Sequence, residues 1–151
     1  MSSALTVRPT WVLARLARVV ELGLDEVDLS LPQLRILMIL SLGDRRTPTR
    51  VASVLSVSPP TVTAVVDGLV ARGAVERTPD PDDRRKVVHS LTPLGTRLLA
   101  DAEAAAERHL VELLGYLDGP SDRADAQAGL AQWDEAMNRA WLASCERGAT
   151  R

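Results

Sequence analysis

The chain has no phenylalanine, one tyrosine and three tryptophans in 151 residues. A core so poor in rings has to be built from Leu, Val and Ala, which suits helices whose axes come close together. Cys145 is the single cysteine, so an intramolecular disulfide is excluded and a reducing compartment is the simplest expectation. No run approaches the roughly 18 apolar residues of a membrane span. The opening Met-Ser-Ser-Ala-Leu-Thr-Val-Arg also lacks the apolar stretch of a secretory signal. A cytoplasmic protein with no membrane partner is expected. Two histidines, His89 and His109, and one cysteine make no recognisable zinc site, so neither metal nor cofactor is expected.

The parts of an enzyme are missing as well. There is no nucleophile with a placed base, no glycine-rich phosphate loop and no carboxylate pair in a setting suited to acid-base work. Asp82 and Asp83 are adjacent and followed by Arg84 and Arg85, which is wrong for that chemistry. Cys145 has no arranged base beside it and is expected to be an incidental thiol.

What the chain does have is patterned aliphatic sequence and a charge gradient. Nearly half of the residues are hydrophobic, so the chain is expected to be globular and of single-domain size. The net charge of -2 hides a basic middle: residues 45 to 86 carry eight bases and five acids. A basic centre between acidic ends is the footprint of a localised anion-binding surface.

The periodicity predicts a helix over residues 9 to 27, with Val12, Leu16, Val19, Val20 and Leu24 on one face. Pro32 opens PQLRILMILSLG, which is apolar nearly all round and therefore a buried helix ending at Gly43. Thr47-Pro48 caps a short third helix, and Ser58-Pro59 caps a fourth that stops at Gly73. The tight link between these two describes a helix-turn-helix, although any compact αα-hairpin shares those features. The next residues separate the two. VER and KVVHSL are β-branched enough for two short strands around RTPDPDDRRK, which makes the unit a winged helix. Thr92-Pro93 then caps a long helix, Gly119-Pro120 breaks it, and a last helix carries Trp133, Met137 and Trp141 on one stripe.

The expected fold is mainly α with a small β-hairpin wing, a winged helix-turn-helix flanked by N- and C-terminal helices. Residues 31–92 form the winged lobe, and residues 1–30 with 93–151 form a helical region of the same compact chain. Long amphipathic ends with nothing local to cover them point to a second copy of the chain.

LPQLRIL, SPPTVTAVVDGLVARGAVER, and DPDDRR followed by LTPLG together resemble the multiple-antibiotic-resistance regulator (MarR) family of bacterial transcription factors. The motifs cover about residues 31 to 95, and the helix order agrees along the whole chain. The family's wing motif of Asp, any residue, then Arg falls on Asp83, Arg84 and Arg85, with Leu91-Thr92 and Gly95 downstream. The resemblance implies a homodimer whose first and last helices intertwine. It also implies a repressor that straddles a pseudo-palindromic site on double-stranded DNA.

The wing chemistry fits that implication. Arginine is favoured in narrow A/T-rich minor grooves because their negative potential is strong. By family position Arg85 is the inserted residue, with Arg84 and Lys86 on phosphates and Asp83 orienting Arg85. A plain solvated loop is the alternative. Asp82 and Asp83 are expected to hold the loop that Pro79 and Pro81 restrict.

The fourth helix is a poorer fit to base readout. With Val62, Val65, Val66 and Leu69 inward, Pro60, Ala64, Asp67, Gly68 and Ala71 face outward, flanked by Thr61 and Thr63. No Arg, Lys, Asn or Gln appears there before Arg72, and family members often carry a long polar residue where Ala64 or Gly68 stands. Ser58, Thr61 and Thr63 are read as phosphate contacts or thymine-methyl neighbours, with small Ala64 letting the helix sit deep. Sequence preference would then rest on groove shape and the wing. This polar-poor face is the one feature favouring a rival reading, a winged-helix protein-interaction module. The family implies that Asp67 pairs with the wing arginine Arg85; a solvent-facing Asp is the alternative. Arg50, Arg72 and Arg77 are further candidates for DNA contact, whereas Arg45 and Arg46 fit a soluble loop.

The resemblance also implies a small aromatic or anionic effector. Trp11, Arg15 and Arg35 are the residues to hold one, with Arg15 one turn beyond Trp11 so that a cation lies beside an apolar plate. A Trp packed in a dimer core beside an exposed Arg is the alternative.

Overall fold

The computed structural model describes residues 8–43 and 47–149, with side chains through residue 140. Its elements run α1 (Pro9–Glu26), α2 (Leu31–Ser41), α3 (Pro48–Leu55), α4 (Pro59–Ala71), β1 (Val75–Pro79), β2 (Val87–Leu91), α5 (Pro93–Leu114) and α6 (Pro120–Ala149). Helix, helix-turn-helix, hairpin and two long helices follow in the expected order. Two compact units divide the chain, Met1–His109 and Leu110–Arg151.

Each helix of the first unit starts where its chemistry says it should. Proline occupies the first turn of α1 to α4, where its missing N–H costs nothing. Ser30 caps α2, which opens at Leu31, one residue ahead of the expected Pro32. Its Oγ accepts from Gln33 N, while Gln33 Oε1 accepts from Ser30 N at 2.8 Å, a reciprocal capping box. Thr47 Oγ1 caps α3 by accepting from Arg50 N, and Ser58 Oγ caps α4 by accepting from Thr61 N. Gly73, at φ 75°, ends α4 in the left-handed region that favours glycine, and its N–H returns to the Val70 carbonyl.

The core of this unit lies among α1 to α4, the sheet and the first half of α5, which adds Leu99 and Ala102. Leu37, Val51, Val66 and Leu69 are fully buried, as are Ile36 and Val62. Each such side chain contributes about 1.5–3 kcal/mol of transfer free energy. Val62, Val66 and Leu69 are the inward face of α4 as expected, with Val65 half-buried. Their burial turns Thr61, Thr63, Ala64, Asp67 and Gly68 to solvent.

The hairpin pairs antiparallel from Val75 with Leu91 to Pro79 with Val87, so β1 runs two residues beyond the expected VER. Thr92 joins it to α5. Its Oγ1 donates to the Gly73 carbonyl (2.6 Å) and accepts from Gly95 N (3.1 Å), so one hydroxyl caps α5 and fixes the base of the wing. Gly95 is the only residue that fits there, since a Cβ would stand 2.0 Å from the Ala74 carbonyl oxygen.

In the second unit, α6 exposes Trp133 and Met137. The side chains of residues 141 to 149, including Trp141 and Cys145, lie outside the described residues. Among the described residues no single helix is long and apolar enough to cross a membrane.

Candidate nucleic-acid interface

The wing tip is held by its own acids. Asp80 N donates to the Lys86 carbonyl (2.9 Å) and closes the hairpin, and Lys86 N donates to the Asp83 carbonyl (2.8 Å). Asp80 Oδ1 accepts from Asp82 N at 2.9 Å, and Asp83 Oδ1 accepts from Arg85 N at 3.1 Å. These are Asx turns, in which a carboxylate replaces a backbone acceptor. Asp80 therefore has the loop-holding role expected of Asp82, because its side chain faces the turn while Asp82 supplies the N–H.

Asp83 also reaches cations. Arg85 Nε lies 3.6 Å from its Oδ1 and Lys86 Nζ lies 3.5 Å from its Oδ2. Exposed pairs of this kind contribute little stability. The Arg85 side chain remains 95% exposed at the tip. Arg84 and Lys86 are exposed beside it. An open cleft of about 340 Å³ separates the tip end of the wing strands from the first turn of α3, lined by Thr47, Pro48, Thr49, Lys86 and Val87. Arg50 is exposed in that same first turn and does not line the cleft.

On α4, the Ser58 and Thr61 hydroxyls lie 2.7 Å apart, and Thr63 Oγ1 donates to the Pro59 carbonyl at 3.1 Å. The hydroxyls expected to face phosphate thus already have partners within the helix start. Pro60, Ala64 and Gly68 are exposed and small. Together they form a shallow surface without a long polar side chain.

Asp67 pairs with Arg77, not with Arg85 as expected. The reason is position: Arg77 stands in β1, which packs on α4, whereas Arg85 lies at the far end of the hairpin beyond the Asp80–Lys86 closure. Arg77 is also committed on its other side, its Nε donating to His89 Nε2 at 3.3 Å. It is an internal strut more than a free cation for DNA. His89 itself is 2% exposed, a buried residue of β2.

Arg72 also departs from expectation. Instead of reaching outward from the end of α4, its guanidinium donates to the carbonyls of Val27 (2.9 Å) and Asp28, in the turn after α1. Two carbonyls left by the helix end and the left-handed Asp28 (φ 53°) make this turn a cation acceptor.

The effector residues do not converge. Arg8, in place of Arg15, covers the Trp11 ring, its guanidinium carbon 4.3 Å from the ring centroid. Arg35 lines a cleft of about 110 Å³ with Leu55, Val57, Thr61 and Val65 among its walls, and neither Trp11 nor Arg15 lines it. Arg15 is exposed on α1. Arg45 and Arg46 lie outside the described residues. Among the described residues no cluster of His, Cys, Asp and Glu could hold a metal ion.

Sequence signals existed for some of what was missed. Ser30 with Gln33 three residues on is a capping-box pattern, and Asp80-Pro81-Asp82 is an Asx-turn pattern. Nothing in the sequence marked His89 as a partner of Arg77, since the cross-strand register that brings them together is a tertiary fact.

Comparison with known proteins is consistent with this architecture. The MarR family model matches residues 27–86. An uncharacterized HTH-type transcriptional regulator of Mycobacterium leprae is 36% identical over 111 residues, covering 74% of this chain and 76% of that protein. The crystal structure of apo MarR from E. coli superposes with a TM-score of 0.69 at 24% identity, covering 83% of this chain and 96% of that one. A MepR mutant from S. aureus, solved bound to an oligodeoxyribonucleotide, gives a TM-score of 0.65 at 19% identity over 85% of this chain and 94% of that one.

Proposed function

The chain belongs to the MarR family of transcriptional regulators, and from that premise we propose that it is a homodimeric repressor of promoters carrying a pseudo-palindromic site. In this reading α4 enters the major groove and the wing tip enters the minor groove. Arg85 is the inserted side chain, and Arg84, Lys86 and Arg50 meet phosphates. Thr63, its hydroxyl turned back to Pro59, offers a methyl group to thymine. The lobe is residues 31–92, the dimer is formed through residues 1–30 and 93–151, and the protein acts in the cytoplasm.

The observation that carries the proposal is the wing tip. Asp83 accepts the backbone N–H of Arg85, which fixes the turn that carries this residue, and leaves the guanidinium projecting into solvent. Ordering the turn in advance lowers the conformational entropy lost on binding. A small anionic effector belongs to the same reading, with Arg35 beside its apolar cleft as the residue to attract it.

The test is titration of the DNA upstream of the protein's own gene at two salt concentrations, with Arg85→Ala alongside. Affinity should fall steeply with salt. The variant should bind at least tenfold more weakly, with the salt slope reduced by about one and A/T preference relaxed. Salt-insensitive binding, or none to any DNA tried, would sink the proposal in favour of a protein-interaction module.

A further inference from the structure

The recognition helix and the wing meet at a polar relay whose inner member is buried. Asp67, on the solvent face of α4, takes a charge-assisted hydrogen bond from Arg77 Nη2 in β1. Arg77 Nε in turn donates to Nε2 of His89 in β2 at 3.3 Å. Asp67 and Arg77 are partly exposed, while His89 is sealed beneath them at 2% exposure. For Nε2 to accept, the imidazole is neutral and carries its proton on Nδ1. An arginine bonded at one end only would swing through several rotamers. Bonded at both ends, its planar fork has a single orientation.

We propose that His89 is a positioning residue for DNA recognition: by accepting from Arg77 it fixes Arg77 against Asp67, and so sets the separation of the recognition helix from the wing. The proposal rests on the DNA-binding reading above. It explains why an acid is tolerated on the helix face that would approach a polyanion. Asp67 is neutralised by a cation that is held from leaving it for a phosphate, because His89 takes the Nε–H of the same guanidinium. It also accounts for a polar ring placed where an aliphatic side chain would otherwise fill the core.

The experiment is a double-mutant cycle in the full-length protein, using Asp67→Asn and His89→Leu, singly and together. Affinities for an operator duplex and for a random duplex are measured beside urea unfolding. His89→Leu should lower operator affinity about tenfold with a much smaller loss on random DNA. The double variant should be little worse than the worse single one, since coupled residues that share a partner are non-additive. His89→Gln, whose Oε1 can accept, should recover most of the loss. If His89→Leu fails to fold, Arg77→Lys replaces it, because lysine can reach Asp67 or His89 but lacks the fork for both.

Losses that multiply in the double variant, equal losses on both duplexes, or no recovery by glutamine would each overturn the proposal. A wild-type chain that binds no DNA would instead overturn the DNA-binding reading. Coupling between Asp67 and His89 in the unfolding data would then still report whether the relay forms.

Discussion

Arg72 Nη2, at the C-terminal end of α4, donates to the Val27 carbonyl at 2.9 Å, so the end of the recognition helix is fastened to the turn that follows α1. The Asp28 carbonyl accepts from the same guanidinium. A cation at a helix C-terminus is also favoured by the helix dipole. Arg72→Ala should destabilise the fold by about 1–2 kcal/mol, less than a fully buried charged hydrogen bond because the side chain is 31% exposed. Urea unfolding measures this. DNA affinity should fall while its salt slope stays unchanged. A slope lowered by about one would instead place Arg72 on a phosphate.

Asp83 is the second lever, because it both orders Arg85 and subtracts charge from the tip. Replacing it with alanine should separate these effects. Asp83→Ala should raise affinity for random duplex by up to about fivefold, within the range of an exposed ion pair, while operator affinity falls. Competition binding with both duplexes checks it. If both affinities rose together, Asp83 would be only a charge and the ordering of Arg85 would have no consequence.

How far the sequence went is clearest at α4. Val62, Val66 and Leu69 follow the helical period, and their burial then decides which face looks outward. Helix ends were legible too, since Thr47, Ser58 and Thr92 are caps that act within a few residues. The site was legible only in part. Arg85 and Asp83 are close in sequence, and their contact was anticipated. Asp67, Arg72 and His89 take partners 10, 45 and 12 positions away, and composition or periodicity cannot rank those partners. Arginines were assigned to DNA because arginine suits phosphate. Arg72 and Arg77 show the competing use, in which the same guanidinium binds the protein's own carbonyls and carboxylate.

Trp133 and Met137 lie four residues apart on α6, 70% and 60% exposed. Side chains at that spacing share a helix face. If this face enters the proposed dimer, Trp133→Ala should raise the dimer dissociation constant by at least tenfold, as loss of a buried aromatic anchor does. Helix content should not change, because the side chain is exposed within the single chain. Sedimentation at several concentrations decides it, and an unaltered dimer would remove this face from the interface.

Glu26 ends α1, where a carboxylate meets the negative end of the helix dipole. Two groups from α5 offset that: His109 Nε2 lies 2.8 Å from Glu26 Oε1, and Arg108 donates to Oε2. The hydrogen bond with His109 is the largest influence holding the Glu26 carboxyl below its ordinary value; desolvation, the next largest, opposes it, and the bond and charge of Arg108 and the charge of His109 act with the first. A pKa lower in the folded state than in the unfolded one means that the folded state favours the ionised form. The resulting stability is present above the unfolded value and is lost as pH falls through the folded value. Glu26→Gln should therefore be less stable than the parent near neutrality, and the gap should close as the solution is acidified below the ordinary carboxylate range. Urea unfolding of both proteins across the acid range measures that gap. A constant difference at every pH would mean that Glu26 titrates alike in the folded and unfolded chain, and the link from α1 to α5 would then contribute packing alone.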